Sequence, residues 1–490
     1  MTTRRPKLEL LDENFEKLII SSAYYVLKKQ GIYIENNEAL QILESSGIKV
    51  DFKDSKAYFN ENDIEKALSS VPKSINIYDR EENLSLVLEK DNVYFNPGSA
   101  ALNILDYPSK SIRKAETDDL INFSALTDRL EYIKAQSTGI ISSDVPEEIA
   151  DSYRLLIALL YCRKPVITGI FSTDGIQLMF KMLEVIRGDS NNLKEKPLAI
   201  FDACPSPPLK WSKLTCQSVI ECAKVGIPTE FVSMPLSGAT APVTLAGTLV
   251  QHTAETLSGI VISQAVKPGA PVIYGGSPSA FDMRKGTTPM GAIETMMIDV
   301  AYSQIGKKFG LPTHAYMGLS DAKILDSQAG IESATGAVLA ALAGINVVSG
   351  PGMLNFESTQ SLEKLVIDNE ICGMALRLIE GIARRGENLT EDLIGNIYKG
   401  DHFLSSPLTI KWHKKEYFSP SDVIDRNVLG GEGKILEKNA GERAHETVQK
   451  ILKKKPEPSL DKNKIKELVS IMKTATGNHK LKLFDKLKVL

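Results

Sequence analysis

Residues Leu311–Gly352 read LPTHAYMGLSDAKILDSQAGIESATGAVLAALAGINVVSGPG, and this stretch decides the fold. A short apolar run, Pro312–Met317, stops at Gly318, and a polar segment follows with Asp321, Lys323 and Asp326. From Ala329 to Ala343 alanine, glycine and leucine dominate, which predicts a helix with small side chains and close packing. Gly344 supplies its C-cap, and Ile345–Ser349 is a second apolar run stopped by Gly350 and Gly352. The order is strand, polar loop, helix, strand. In such a unit the chemistry sits in the loop after the first strand, because the helix covers the strand's flank and leaves its carboxyl end open.

The same rhythm extends backwards. Apolar runs recur at Tyr132–Ser137, Pro165–Ile170, Leu198–Asp202, Thr229–Ser233, Pro271–Tyr274, Pro312–Tyr316 and Ile345–Ser349. Helical patterns separate them at Ser152–Leu160, Ile176–Arg187, Leu214–Val225, Leu245–Gln264, Ala292–Phe309 and Ile331–Ala343. Successive βα units of this kind predict parallel strands with crossover helices. No nucleotide fingerprint follows the first strand, so the reading is an α/β fold of the (β/α)8 TIM-barrel type, not an open doubly wound sheet. The eighth strand falls either at Phe403–Ile410 or within Val93–Asp106, which reads as two strands around a Pro97–Gly98 turn.

The flanks read differently. Residues 1–90 form a helical arm with hairpin pieces. Its first helix, Asn14–Lys29, sets Phe15, Leu18, Ile19 and Tyr25 on one side, and the arm is read as a packing or oligomer-contact element of a homo-oligomer. Residues 91–400 hold the barrel. Residues 401–490 form a C-terminal wrap with helices at Leu436–Leu452 and Ser459–Thr474 and a lysine-rich amphipathic end, His479–Leu490.

A net charge of −3 argues against bulk nucleic-acid binding. No apolar segment approaches the roughly 20 residues of a membrane span. The five cysteines form no CxxC pair, and the start lacks a secretory apolar core, so reduced thiols in the cytoplasm are expected.

In a barrel the strand ends converge on one mouth. The inventory there shows no metal-ligand spacing, no Walker pattern and no catalytic triad, so no metal site and no catalytic residue is assigned. Cys204 reads as an inert thiol, and His252 and His314 as core residues. The mouth does collect rings: Phe171, Phe231, Tyr274, Tyr316 and Phe356, with Tyr94 and Phe95 joining them if their hairpin covers it. Rings attract a quaternary ammonium face-on by ~0.5–2 kcal/mol each, and Asp202 or Glu230 would balance its charge. Gly238, Ala239, Thr240, Gly276, Gly318, Leu319 and Ser320 are small or lie in tight loops, suited to close approach by a large group. Asp321 and Asp326 read as loop-holding residues; Arg284 and Lys323 are candidate anchors for a substrate carboxylate, with a surface or structural ion pair the favoured role for each.

Pro235–Gly286 (PLSGATAPVTLAGTLVQHTAETLSGIVISQAVKPGAPVIYGGSPSAFDMRKG), Ser320–Glu332 (SDAKILDSQAGIE), Leu365–Ile371 (LVIDNEI) and the HFLSSPLTIKW…VIDR wrap resemble the trimethylamine methyltransferase family. The resemblance runs from about residue 10 to about residue 470. It implies transfer of a methyl group from an amine to the Co(I) of a separate corrinoid protein, with cobalamin carried by that partner and none held tightly here. Gly238, Ala239, Thr240, Gly276, Gly318, Leu319 and Ser320 would then face the corrinoid. Family members acting on trimethylamine carry pyrrolysine, which the resemblance places near Gly318–Leu319, ahead of Ser320-Asp321. Only ordinary residues stand there in this chain, so it resembles the branch acting on quaternary amines such as glycine betaine, proline betaine and carnitine-type compounds. A methyltransferase for a tertiary amine or another methyl donor, and a non-catalytic quaternary-amine-binding protein, are the alternatives.

Overall fold

All seven apolar runs become parallel strands, and an eighth precedes them. The computed structural model describes residues 5–385, 394, 402–428, 438–476 and 481–487. Its barrel strands are β1 (Tyr94–Asn96), β2 (Gln136–Ser137), β3 (Val166–Gly169), β4 (Ala199–Ala203), β5 (Thr229–Ser233), β6 (Val272–Gly276), β7 (His314–Tyr316) and β8 (Val347–Ser349). Strands β2 to β6 pair in sequence order as one arc, and β7-β8-β1 form a second. Parallel bridges Tyr274↔Thr313 and Phe95↔Ile133 join the two arcs. Across them the Tyr274 N–H donates to Pro312 O and the Lys134 N–H to Phe95 O. Strand β1 therefore closes the wall. The rival stretch at 403–410 runs into a helix, Pro407–Glu416, whose proline sits at the first turn where no backbone donor is needed.

One helix follows each strand: α1 (Thr117–Arg129), α2 (Ala150–Tyr161), α3 (Thr173–Arg187), α4 (Lys213–Val225), α5 (Leu245–Val266), α6 (Ile293–Lys308), α7 (Ser327–Ala343) and α8 (Leu362–Ile379). Caps fix their entries. Ser172, Ser212, Thr244, Asp326 and Ser361 each accept backbone N–H bonds from the first turn of the helix they precede.

Period-two alternation sorts the strand residues. Ala135, Ile167, Ile200, Ile273 and Val347 point inward near the amino ends of the strands. There they pack with Ile75, Ile77, Leu86 and Leu88 from a hairpin, Ile75–Tyr78 with Leu84–Leu88, and with Tyr94. The hairpin, counted with the arm in the sequence reading, plugs the barrel floor; each buried aliphatic side chain there contributes ~1.5–3 kcal/mol. The neighbouring positions turn outward. Phe201 meets Phe180 of α3 edge-on at 5.4 Å, and Phe231 meets Trp211 at 6.0 Å. A Cβ on Gly259 of α5 would sit 2.6 Å from the Phe231 ring, so glycine is what lets α5 lie on β5.

The N-terminal helix, Glu13–Lys29, packs on α5 through Ile19, Ala23 and Leu27. Phe15, Leu18 and Tyr25, expected on the packing side with Ile19, are exposed. The buried stripe follows i, i+4, i+8 through a small alanine that permits close approach, and it does not track side-chain bulk. In the wrap, Ala440–Leu452 lies on α8 and α1, and Lys462–Thr476 on α3 and α2. The expected boundary at 400 and residues 477–480 and 488–490 of the lysine-rich end fall outside the described residues; Lys482–Leu487 is helical. The five cysteines are free thiols. No helix among the described residues is long and apolar enough to cross a membrane.

Candidate functional site

Above the apolar plug the barrel interior turns polar. The alternation that sends Phe201, Phe231 and Ala315 outward brings Asp202, Glu230, His314 and Ser349 inward, on β4, β5, β7 and β8. His314 Nε2 lies 3.1 Å from Ser349 Oγ and 3.2 Å from Glu230 Oε1, and Ser349 Oγ donates to Asn96 Oδ1 at 3.0 Å. Burial lowers His314 to about 3, while burial and then the neighbouring Asp202 push Glu230 well above the ordinary carboxyl range. Their contact therefore joins two neutral groups and is not an ion pair.

Over this layer opens a cavity of about 240 Å3, lined among others by Ser99, Arg154, Phe171, Asp202, Tyr316 and Glu357. Its volume is below the ~300–1,000 Å3 of sites for drug-sized ligands. The Ser99 and Tyr316 hydroxyls bond at 2.8 Å. Glu357 is delivered by the loop after β8, in which Asn355, Phe356 and Glu357 have φ of +52°, +55° and +64°. Three consecutive non-glycine residues in the left-handed region cost roughly 1–2 kcal/mol each. Strain of this kind is characteristic of functional loops.

The cavity is acidic. Burial raises Asp202 to about 7, although a hydrogen bond from Glu230 and the charge of Arg154 oppose it. Burial, then the Asp202 charge, raises Glu357 to about 8. Arg154, fully buried on α2, is lowered by burial to about 10 against the pull of Asp151 and Asp202. Its Nη1 donates to Thr138 O at 2.7 Å, and its guanidinium stacks 4.4 Å from the Phe171 ring centre. Buried polar atoms of cavity-lining residues have no hydrogen-bond partner, Asp202 Oδ1 and Arg154 Nε among them. Buried polar atoms are rarely left so, and a group of them around one cavity marks a place for a ligand. Cys204 also lines the cavity, and burial pushes its thiol up, which keeps it protonated.

Of the eight residues expected around a cation, Phe171, Asp202 and Tyr316 line the cavity. Phe231 and Tyr274 do not. Both stand at outward positions of their strands, Phe231 against Trp211 and Tyr274 bonded through its hydroxyl to Thr253 of α5. Tyr94 faces the floor plug, where its hydroxyl accepts from Val87 N, and Phe95 faces the helix layer. Phe356 lies outside the cavity beneath Lys323, whose ammonium is 4.0 Å from the ring centre.

The loop expectations divide in the same way. Gly238, Ala239 and Thr240 form a turn after β5 with Ala239 exposed, on the mouth side. Gly276 turns toward His252 of α5. Gly318, Leu319 and Ser320 are buried: Leu319 packs with Val232, Met290 and Tyr316, and the Ser320 hydroxyl donates to Glu332. These three support the mouth from beneath and are not presented to a partner. Asp321 does hold its loop, accepting from Met290 N and Gly291 N. Arg284 is exposed and paired with Asp282, and Lys323 donates to Asp321 O, so both have the surface or structural pairing favoured for them and neither lines the cavity.

Sequence reasoning missed Arg154 and Glu357. Arg154 carried a signal, since it is a lone charge inside the apolar helix SYRLLIALLY. Glu357 sits next to the chosen Phe356 with nothing to mark it. Among the described residues no group of three or more His, Cys, Asp or Glu side chains is placed to hold a metal ion.

Comparison with known proteins gives a consistent picture. A sequence profile described as "Trimethylamine methyltransferase (MTTB)" matches residues 1–477. The trimethylamine methyltransferase MttB of Methanosarcina barkeri is 32% identical over 480 residues, covering 96% of this chain and 95% of that protein. The MttB of Desulfitobacterium hafniense (strain DSM 10664 / DCB-2) is 31% identical over 445 residues, 91% of this chain and 89% of its own length. A protein named glycine betaine methyltransferase from D. hafniense (strain Y51) is 30% identical over 459 residues, 93% and 95% of the two chains. In structure, the chain is similar to the crystal structure of the M. barkeri monomethylamine methyltransferase, with a TM-score of 0.51, 11% identity, and 94% and 95% of the chains covered. That likeness is one of fold.

Proposed function

The chain belongs to the trimethylamine methyltransferase family and is a methyltransferase, and from that premise we propose that it moves a methyl group from a small quaternary amine to the Co(I) of a separate corrinoid protein. The observation that carries the donor class is the acidic cavity. Asp202 and Glu357 line it, Glu230 lies beneath, and the Tyr316 ring forms part of its wall. A permanent cation satisfies an unpaired carboxylate and a ring face together. Met317–Asp321 reads MGLSD, with only ordinary residues where the family resemblance places pyrrolysine. The D. hafniense relative named for glycine betaine supports the same class.

The donor's charge explains a site without an acid or a nucleophile of its own. When a methyl group leaves a quaternary nitrogen, the C–N bond breaks with its electron pair staying on nitrogen, and the tertiary amine departs neutral without a proton. The corrinoid supplies the attacking electron pair. The chain supplies position: Asp202 opposite the ammonium, Glu230 holding the shared proton beneath it, Tyr316 and Phe171 as walls. Fixing the reacting carbon in line with its attacker replaces much of the entropy of encounter, an effect worth up to ~7–11 kcal/mol in well-oriented systems. A cavity of about 240 Å3 is far too small for a corrin ring, so the acceptor would meet the methyl group at the mouth.

A second reading draws on the same carboxyl pair. A site that holds a proton near neutrality could charge a tertiary amine and let it leave as a neutral secondary amine. The visible spectrum of a Co(I) corrinoid protein separates the readings. Loss of the Co(I) spectrum with this chain and a quaternary amine, and none with trimethylamine, is the expected result. Loss with trimethylamine alone would replace it with the second reading. Tight amine binding without any turnover would make the chain a binding protein.

A further inference from the structure

We propose that Arg154 anchors an anionic group carried by the substrate, so that the cavity selects a zwitterion, a quaternary ammonium bearing a carboxylate, over a bare cation. The inference rests on the quaternary-amine reading and adds the second half of the ligand.

A guanidinium is an awkward lining for a site that takes only a cation, because in so small a space it repels the ligand. Yet Arg154 is 1% exposed, lines the cavity and is not neutralised by a hydrogen-bonded carboxylate. Its bonded contact is Nη1 to Thr138 O, and Nε has no partner. Asp151, the acid nearest in the chain, is engaged elsewhere. Its Oδ2 accepts from Phe171 N at 2.9 Å and Ser172 N at 3.2 Å, and its Oδ1 from Ser152 N at 2.6 Å. The Phe171 ring covers one face of the guanidinium and leaves its edge for bonding. Guanidinium edges match carboxylates in geometry, with two parallel N–H donors that an ammonium lacks.

The same cavity holds the complementary vacancy, Asp202 Oδ1, also buried and without a partner. A donor and an acceptor on two residues that line one cavity, unbonded to each other, are both satisfied by a ligand carrying opposite charges at its two ends. A bare cation would satisfy one and leave the other exposed to like charge. Neither Arg284 nor Lys323 competes for the role, since both are bonded away from the cavity.

The test compares glycine betaine with choline, which keeps the trimethylammonium head and replaces the carboxylate with a hydroxyl. Binding is read by calorimetry on the full chain, with no corrinoid protein needed. The wild-type protein should bind glycine betaine at least about tenfold tighter than choline. Arg154→Gln should lose about 10–100-fold for glycine betaine and leave choline nearly unchanged or improved, and Arg154→Lys should recover part of the loss. Retained choline binding also shows that the variant is folded. Equal wild-type affinity for the two ligands, or an equal loss of both in Arg154→Gln with no recovery in Arg154→Lys, overturns the assignment and leaves the quaternary-amine reading standing. Wild-type protein that binds neither removes both.

Discussion

Lowering the pH from 8 to 6 should weaken the binding of a quaternary amine about tenfold, because the cation needs Asp202 ionised. In the empty cavity burial raises this carboxyl from 3.8 to about 7, with the Glu230 hydrogen bond and Arg154 partly opposing. Glu230, pushed higher still, keeps its proton through this range. The ionised fraction of Asp202 is then about 0.9 at pH 8, one half at pH 7 and about 0.1 at pH 6, and apparent affinity scales with that fraction. The stability sign runs the opposite way. A carboxyl whose folded value is raised favours the fold below its unfolded value, and this contribution is lost as pH rises through about 7. The loss from Asp202 amounts to up to about 4 kcal/mol, so the empty protein carries its largest electrostatic penalty at pH 8, where the ligand binds best. His314, lowered to about 3 by burial, stays neutral throughout. Calorimetry in two buffers of different ionisation heat reads the effect directly. Roughly 0.9 proton should be released on binding at pH 6 and about 0.1 at pH 8. Asp202→Asn should bind weakly at every pH with no proton release. An affinity constant within twofold between pH 6 and 8, or an Asp202→Asn variant that binds as tightly as wild type, would refute the role given to this carboxylate.

Tyr316→Phe removes the hydroxyl bonded to Ser99 and keeps the ring, so amine affinity should fall less than about tenfold, whereas Tyr316→Leu should lose a further ~0.5–2 kcal/mol of ring attraction; calorimetry of the two variants separates the contributions. Gly336→Ala would put a Cβ 2.7 Å from Gly318 N. Alanine usually favours a helix over glycine, but here thermal melting should show a loss of ~1–3 kcal/mol or more, and an unchanged or higher midpoint would show that α7 can move away from β7. Lys364→Met leaves buried Asp368, bonded at 2.5 Å, without its cation and should cost ~3–5 kcal/mol, while the double variant with Asp368→Leu should recover much of it in denaturant melts.

The fold was largely legible because a parallel barrel repeats its signature. Strands buried on both faces read as unbroken apolar runs, and glycine or proline marks their ends. The eighth strand was ambiguous for a physical reason: Tyr94–Asn96 is three residues long and comes before the repeating pattern starts, so its pairing with β8 has no local mark. The floor hairpin was hidden similarly, since alternating pieces such as Ile75–Tyr78 look alike whether they pack in an arm or inside a barrel. For the site, three residues of the loop-level inventory, Phe171, Asp202 and Tyr316, line the cavity, whereas Phe231 and Tyr274 face the helix layer. Those two are the central residues of runs in which every position is buried, so apolarity gives no phase, and a shift of one residue exchanges inside for outside. The polar neighbour was the better guide. Glu230 beside Phe231 has no reason to face a hydrophobic helix layer, and its charge fixes the phase of β5 that the aromatic residue left open.

The same alternation explains why the cavity is acidic and why some of its buried groups lack hydrogen-bond partners. Some buried charges elsewhere are matched: Lys364 with Asp368, and Asp321 with two backbone N–H groups. Around the mouth three carboxyls and one guanidinium share a small space, and Asp202 and Arg154 each retain an unpartnered atom although opposite charges stand close by. If charge matching alone shaped the cavity, these two would bond each other and close it. Each is instead restrained separately, Asp202 by a rigid strand beside Glu230 and Arg154 by Thr138 O and the Phe171 ring. The penalty of holding them apart falls on the empty protein, and a ligand of the right two-ended charge relieves it. The separation of these two charges is therefore what would let the cavity discriminate between ligands.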